Sequence, residues 1–224
     1  MISCRNIILV GCGGTGGFIA QCLAKSTKRP VVLVDGDTFE KKNLDRQLHD
    51  TSVIGKNKAE VRHAVFAETA SCKMSFVPKY LDVNFKPEKY PLFMCAVDNH
   101  PARKLCLGLA DEYKGCAIIT GNETIDAEAY FYEYKWKDSP HDPRVYYPDI
   151  NTNHSGDPLM PCTGDALLTN PQLAIANMMS ASLAMWLFHF WFMTRPDKAN
   201  SDLFPVRAIA TGSKIRTITM GDMA

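Results

Sequence analysis

Apolar residues in this chain of 224 residues come first in short unbroken runs and later in alternating and mixed patterns. "NIILV" (6–10), "VVLVD" (31–35), "LFMCAVD" (92–98) and "CAIITG" (116–121) are continuous rather than alternating. Runs of that kind predict strands covered on both faces, as in a parallel sheet. "KMSFVPKY" (73–80) is a weaker strand whose Pro78 marks an end or an edge. Between the runs, residues 14–27 space Phe18, Ile19, Cys22 and Leu23 as a helix does. Residues 55–70 do the same with Val61, Ala64, Val65 and Ala67, and 101–113 form a third helix with Pro101 in its tolerated first turn. Strands alternating with helices predict right-handed βαβ units. Past residue 121 the pattern changes. "AEAYFYEYKW" (127–136) is aromatic and alternating, which predicts an antiparallel strand. Residues 137–164 are rich in Pro, Asp, Asn and His and show no period, so they read as a long functional loop. A long helix over 171–193 and two strands around a Gly-Ser turn in "FPVRAIATGSKIRTITM" close the chain.

Composition narrows the class. With 46% apolar and 22% charged residues the chain reads as an ordinary globular protein rather than a disordered one. A formal net charge of +1 gives no reason to expect nucleic acid or an anionic membrane as the main partner. None of the eight cysteines forms a C-x-x-C pair, so no zinc is expected. Cys95, Cys106 and Cys116 lie in apolar runs and read as buried reduced thiols. "MISCRN" runs into a strand without an export signal, and together with reduced thiols this predicts a cytoplasmic protein. Residues 166–194 carry no Asp, Glu, Lys or Arg. Asn170, Gln172, Asn177, Ser180, Ser182 and His189 interrupt that segment, and in lipid they would lack water. It therefore reads as a core or subunit-interface helix, with no membrane role.

The chemistry gathers after the first strand. In "ILVGCGGTGGFIAQ", Gly11, Gly13 and Gly16 fit G-x-G-x-x-G between a strand and a helix. Such glycines let backbone amides approach a phosphate, and the helix N-terminus adds partial positive charge. Asp35 ends the second strand, where an acid commonly accepts hydrogen bonds from ribose. The expected fold is therefore α/β: a Rossmann-like, doubly wound, mostly parallel sheet with a C-terminal antiparallel extension.

A glycine loop with an acid suits NAD as well as ATP, and downstream charges separate the two. Arg46, Lys58 and Asp98 follow in "NLDRQ" (43–47), "GKNKA" (55–59) and "VDNHPAR" (97–103). Hydride transfer does not require them, whereas expelling pyrophosphate builds charge that Arg and Lys stabilise. Mg²⁺ needs a carboxylate and otherwise uses phosphate oxygens and water, so one Asp at a parallel strand's C-terminal end suffices. Each residue also has a plainer reading: Arg46 and Lys58 as solvated charges, Asp98 as a helix cap with Asn99, Asn43 as a turn former.

In this order, "GCGGTGG", "VDGD", "NLDRQ", "GKNKAEV", "VDNHPAR" and "PCTGDALLTNP" resemble the ThiF/MoeB-type adenylyltransferases of the ubiquitin-activating enzyme superfamily, over roughly residues 6–190. The resemblance implies adenylation, with Mg-ATP, of the C-terminal carboxylate of a ubiquitin-like protein or related peptide, commonly ending in Gly-Gly. It implies that Gly11, Gly13, Gly14 and Gly16 wrap the phosphates and that Asp35 holds the ribose. Asn43, Arg46 and Lys58 would contact the phosphates, and Asp98 would hold Mg²⁺. Asp37 and Gln47 match with less defined roles, and Arg103 as a helix residue lining the same region. Cys162, in "MPCTGD", is the candidate for a thioester, and Cys12 reads as a small filler. The resemblance further implies a single adenylation domain over 1–224, with 1–121 the nucleotide-binding part and 122–224 the tag-binding, crossover-loop and dimerisation part, and a homodimer. Relatives usually bring an N-terminal arginine into a partner's ATP site. Arg5 is too close to Gly11 for that, which leaves three readings: another group supplies the charge, another protein does, or the rate is lower. Two alternatives stand beside this reading: an NAD(P)-dependent oxidoreductase, and the inactive scaffold half of a heterodimeric activating enzyme.

Overall fold

The computed structural model describes residues 4–223 except 45, 48, 123–124, 153–173, 193–202 and 212–213. Its centre is β1 (Asn6–Val10), whose five residues are all buried. Ile7, Ile8 and Leu9 are completely so. At about 1.5–3 kcal/mol for each large aliphatic side chain removed from water, a run of this kind can be stable only with both faces covered. Its edges pair in parallel with β2 (Val31–Val34) on one side and β4 (Pro91–Cys95) on the other, and the crossover helices packed on the sheet cover its faces. β3 (Met74–Val77) continues the parallel sheet beyond β2, and β5 (Cys116–Asn122) continues it beyond β4. Three antiparallel strands follow: β6 (Ala127–Glu133), β7 (Pro205–Thr211) and β8 (Lys214–Thr219). The order is β3-β2-β1-β4-β5-β6-β7-β8. This is the expected α/β architecture with its antiparallel extension.

The helices start where their caps say. α2 (Lys58–Phe66) begins after Asn57, whose side chain accepts from the Glu60 amide at 3.1 Å. α3 (His100–Glu112) begins after Asn99, which accepts from Ala102 at 2.9 Å, with Pro101 in the first turn. Asn99, not Asp98, is therefore the cap of α3. α1 (Gly14–Ser26) buries Ile19, Ala20, Leu23 and Ala24 on one face. α6 (Ala174–Phe192) packs against β5, β6, β7 and α1. Trp191 on it stacks on Phe131 with ring centroids 4.3 Å apart, and its Nε1 donates to Pro205 O at 2.8 Å. No helix among the described residues is long and apolar enough to cross a membrane.

Two segments differ from the pattern in the sequence. The segment 127–136 is expected as one antiparallel strand; β6 ends at Glu133, and Tyr130, Phe131 and Tyr132 are all buried. α6 packs against β6, while Tyr132 also bonds Asp111 of α3, so both sides of the strand are covered. The segment 137–152, expected as loop, holds two short helices, α4 (Pro143–Tyr146) and α5 (Asp149–Thr152). Neither has the length to show a period. Asp142 caps α4, accepting from the Arg144 amide at 2.9 Å. The Arg144 guanidinium then pairs with Asp142 at 2.8 Å and with Asp111 at 2.7 Å, fastening the segment to α3.

Candidate active site

β1 and β4 lie side by side and run the same way, with Val10 opposite Cys95, although their βα crossovers lead to opposite sides. A crevice opens at the carboxyl ends of strands where the order reverses like this. The glycine loop leaves from β1 and residues 96–98 leave from β4, joined by the Ala96 amide donating to Val10 O at 2.8 Å. Two glycines make that approach possible. Gly11 has φ +87°, and a Cβ built on it would stand 2.5 Å from Ala96 O. A Cβ on Gly16 would run into the carbonyl of Gly11, 2.8 Å from its carbon. α1 thus sits directly on the loop. Its N-cap, Gly13, offers no side chain, and its first turn carries no acid. The first amides of the helix are left for a ligand, in the partial positive field of a helix N-terminus.

Asp35 stands just past β2, is buried, and closes the loop from one side. Its Oδ2 accepts from the Cys12 amide at 2.6 Å and its Oδ1 from the Asp37 amide at 2.8 Å. Burial pushes its pKa up, and those two amide bonds and the Lys58 charge only partly oppose the rise. Asn57 ties the same turn from below, donating to the carbonyls of Asp35 (2.9 Å) and Asp37 (3.0 Å).

Lys58 is not a solvated charge: it is 8% exposed, and its Nζ pairs with Asp37 Oδ2 at 3.0 Å. Tyr80 donates its hydroxyl to the other Asp37 oxygen. Burial works to raise the pKa of Asp37, but the Tyr80 bond and the Lys58 charge outweigh it and hold the group below its ordinary value of 3.8. A depressed carboxylate pKa contributes stability above the unfolded-state value that is lost as pH falls through the folded value. The stability difference between wild type and Asp37→Asn should accordingly shrink as pH falls from about 5 to about 2. Urea titrations across that range measure it, and a difference that grows instead would contradict the assignment.

Asn43 is buried and works first as a turn residue, its Oδ1 accepting from the Glu40 amide at 3.0 Å. Gln47 is buried with its Nε2 3.5 Å from where a Gly13 Cβ would stand, and its Oε1 meets no partner among the described residues. Arg46 is half-buried and donates to Lys42 O at 3.1 Å, within its own turn. Asp98 is exposed, three residues past β4. Arg103 donates to Val97 O at 3.2 Å and Thr120 O at 3.1 Å, tying the loop after β4 to β5. Gly14 is the first residue of α1. The structure thus gathers Gly11, Gly13, Gly14, Gly16, Asp35 and Gln47 around one loop, with Asp37 and Lys58 adjoining it. Asp98 emerges beside the loop on the neighbouring strand. Arg46 is joined to the group through its own turn, with its guanidinium directed at Lys42. Cys162 lies outside the described residues. Cys12, Cys106 and Cys116 are fully buried, and burial pushes their thiols well above the ordinary value.

One cation escaped the reading of the sequence. Arg62 lies under the loop, 5% exposed, donating to Cys12 O at 3.2 Å and Gly13 O at 3.3 Å, contacting His49, and stacked 5.5 Å from the Phe39 centroid. Burial lowers its pKa to about 10, so it remains charged near neutrality. Gly17 is what admits it: a Cβ there would be 2.5 Å from the guanidinium carbon. The signal was its place one turn after Lys58 in "GKNKAEVR", on the same helix face.

The site is thus a cradle of backbone amides with the buried Arg62 guanidinium beneath it, Lys58 and Arg103 buried nearby, and an acid at the ribose position of such folds. These are features of a nucleotide-binding α/β protein. Residues 2–185 match the ThiF family, and the chain belongs to it. The chain is 32% identical over 108 residues to the NEDD8-activating enzyme E1 catalytic subunit of Caenorhabditis elegans, which is 46% of this chain and 25% of that protein. It is 28% identical over 140 residues to the adenylyltransferase and sulfurtransferase MOCS3 of Xenopus laevis, 59% of this chain and 29% of that one. The matched stretch thus spans little more than a quarter of these relatives. The fold is shared with PaaA, at 18% identity and a TM-score of 0.67, over 96% of this chain and 73% of that one. It is shared also with E. coli MccB solved with ATP, at 19% identity and a TM-score of 0.64, over 96% and 63%.

Proposed function

We propose that this chain is an ATP-dependent adenylyltransferase that activates the C-terminal carboxylate of a ubiquitin-like protein or peptide and releases pyrophosphate. The observation that carries the reading is the adjacency of β1 and β4 in register, which brings the uncapped glycine loop and Asp98 out of the sheet side by side. The names of the relatives, and an MccB structure holding AMPCPP and MccA together, support a nucleotide and a peptide as the pair of substrates.

On this reading the amides of Gly11 to Gly16 receive the phosphates and Asp35 the ribose. Asn43, Arg46 and Lys58 flank the phosphates, with Asp37 and Gln47 in support, and Asp98 holds Mg²⁺. Lys58 exchanges its partner Asp37, still held by Tyr80, for phosphate oxygen. The attacking carboxylate is already ionised near neutrality, so no general base is needed. Positioning and charge stabilisation do the work. The chain acts as one adenylation domain, 1–121 carrying the nucleotide and 122–224 the tag. The Cys162 thiolate attacks the acyl-adenylate, AMP leaves and a thioester forms, and Cys162→Ala should abolish any thiol-labile adduct with the tag.

Exchange of labelled pyrophosphate into ATP tests the reaction. Peptides ending in Gly-Gly with a free carboxylate should support exchange, and the same peptides amidated should not. Exchange that ignores the carboxylate would overturn the reading. The partner surface is read from α6, where Ile175, Met178 and Trp186 are exposed on a helix without a charged residue. A homodimer through this face predicts a dimeric native mass at micromolar concentration that Trp186→Glu converts to monomer. A wild-type monomer would contradict it.

A further inference from the structure

We propose that Asn177 is a ligand-binding residue, its side-chain N–H donating to a phosphate oxygen of a nucleotide held at the N-terminus of α1. The inference rests on the ATP reading above and adds to it a residue from α6, far along the chain from the glycine loop.

Asn177 is 2% exposed in a helix that carries no Asp, Glu, Lys or Arg. Its Oδ1 accepts twice, from Thr15 Oγ1 of α1 at 3.0 Å and from Asn122 Nδ2 of β5 at 3.0 Å. The oxygen end thus lies between Thr15 and Asn122. The nitrogen end is turned toward Gly14, the first residue of α1. A Cβ built on Gly14 would collide with that nitrogen and stand 2.7 Å from the Asn177 amide carbon. The glycine at position 14 is therefore what lets this side chain reach the helix start. Having reached it, Nδ2 meets no acceptor among the described residues.

A buried donor without an acceptor costs about 1–3 kcal/mol, and such groups are rare in folded proteins. Here the cost falls beside a second set of unclaimed donors, the first amides of α1, whose N-cap is a glycine and whose first turn has no acid. All of these groups are satisfied together by one anion. Ser180, one turn further along α6, holds the helix in this register by donating to Gly121 O at 3.1 Å and to Glu128 O at 3.2 Å. α6 is thereby fixed to β5 and β6, which pre-organises the amide.

The test is Asn177→Asp, which keeps the shape and keeps an acceptor for Thr15 and Asn122, and turns the orphan donor into an acceptor that carries a negative charge. A carboxylate at the N-terminus of α1 is favourable, so the melting temperature should stay level or rise. ATP affinity should fall at least ~30-fold, because a donor to phosphate is replaced by a negative charge. Adenosine, which has no phosphate, should bind both proteins within about twofold, since a group that meets only phosphate has no differential energy for it. Asn177→Ala should weaken ATP about tenfold and likewise spare adenosine. A folded Asn177→Asp protein that binds ATP as wild type does overturns the proposal. So does a parallel loss of ATP and adenosine, the signature of a merely structural residue. If wild type binds adenosine but neither ATP nor pyrophosphate, the nucleotide reading itself has failed, and this assignment with it.

Discussion

Gly16→Ala should lose ATP binding by at least ~100-fold and lower the unfolding free energy by about 3 kcal/mol. The added methyl would enter the carbonyl of Gly11, which is backbone and cannot swing aside as a side chain can. Relief requires α1 to lift from the loop, and that movement undoes the packing of Ile19, Leu23 and Ala24 as well as the alignment of the first amides. Urea denaturation and equilibrium ATP binding measure the two losses. Gly108→Ala is the matched control: nothing lies within 4 Å of its Cβ position. In the middle of α3 that substitution should stabilise by about 0.5–1 kcal/mol and leave binding alone. Wild-type ATP affinity in Gly16→Ala would remove the close loop–helix contact from the account.

Asp98→Ala should leave the fold intact and cut pyrophosphate exchange at least ~100-fold. The fold survives because Asp98 is exposed and because Asn99 supplies the cap of α3. The expected loss comes from the reading of Asp98 as the carboxylate that positions Mg²⁺ against the phosphates. A partial rescue by higher Mg²⁺ is expected too, since substrate phosphates and water supply the other ligands. Exchange at the wild-type rate in a folded Asp98→Ala protein would take this residue out of the reaction and would favour the plainer reading of a surface acid.

The central strands were legible in the sequence because burial on both faces leaves no room for polar residues, and "NIILV" and "LFMCAVD" show it. The glycine loop was legible for a related reason: a positive φ at Gly11 and the contact at Gly16 exclude other side chains. Lys58 illustrates what one chain of letters hides. A lysine near the start of an amphipathic helix looks solvated, and only the approach of Asp37 from the turn after β2 shows that it is buried and paired. Arg62 was invisible for the same cause, since its partners are backbone carbonyls of a loop fifty residues earlier. Asn177 and Ser180 are visible as polar interruptions of an apolar segment, one turn apart, and from the sequence alone they bear only on whether that segment suits lipid. Their common face, turned to β5 and α1, is a matter of tertiary packing. α4 and α5 could not be seen because four residues hold no period, and salt bridges of Arg144 fasten them instead.

Everything in the functional account depends on a triphosphate occupying the loop. The direct measurement is calorimetric titration of the protein with ATP, with and without Mg²⁺, followed by NAD as competitor. The account predicts that ATP binds, that Mg²⁺ tightens it more in wild type than in Asp98→Ala, and that NAD does not displace it. NAD binding more tightly than ATP, with no response to Mg²⁺, would contradict it.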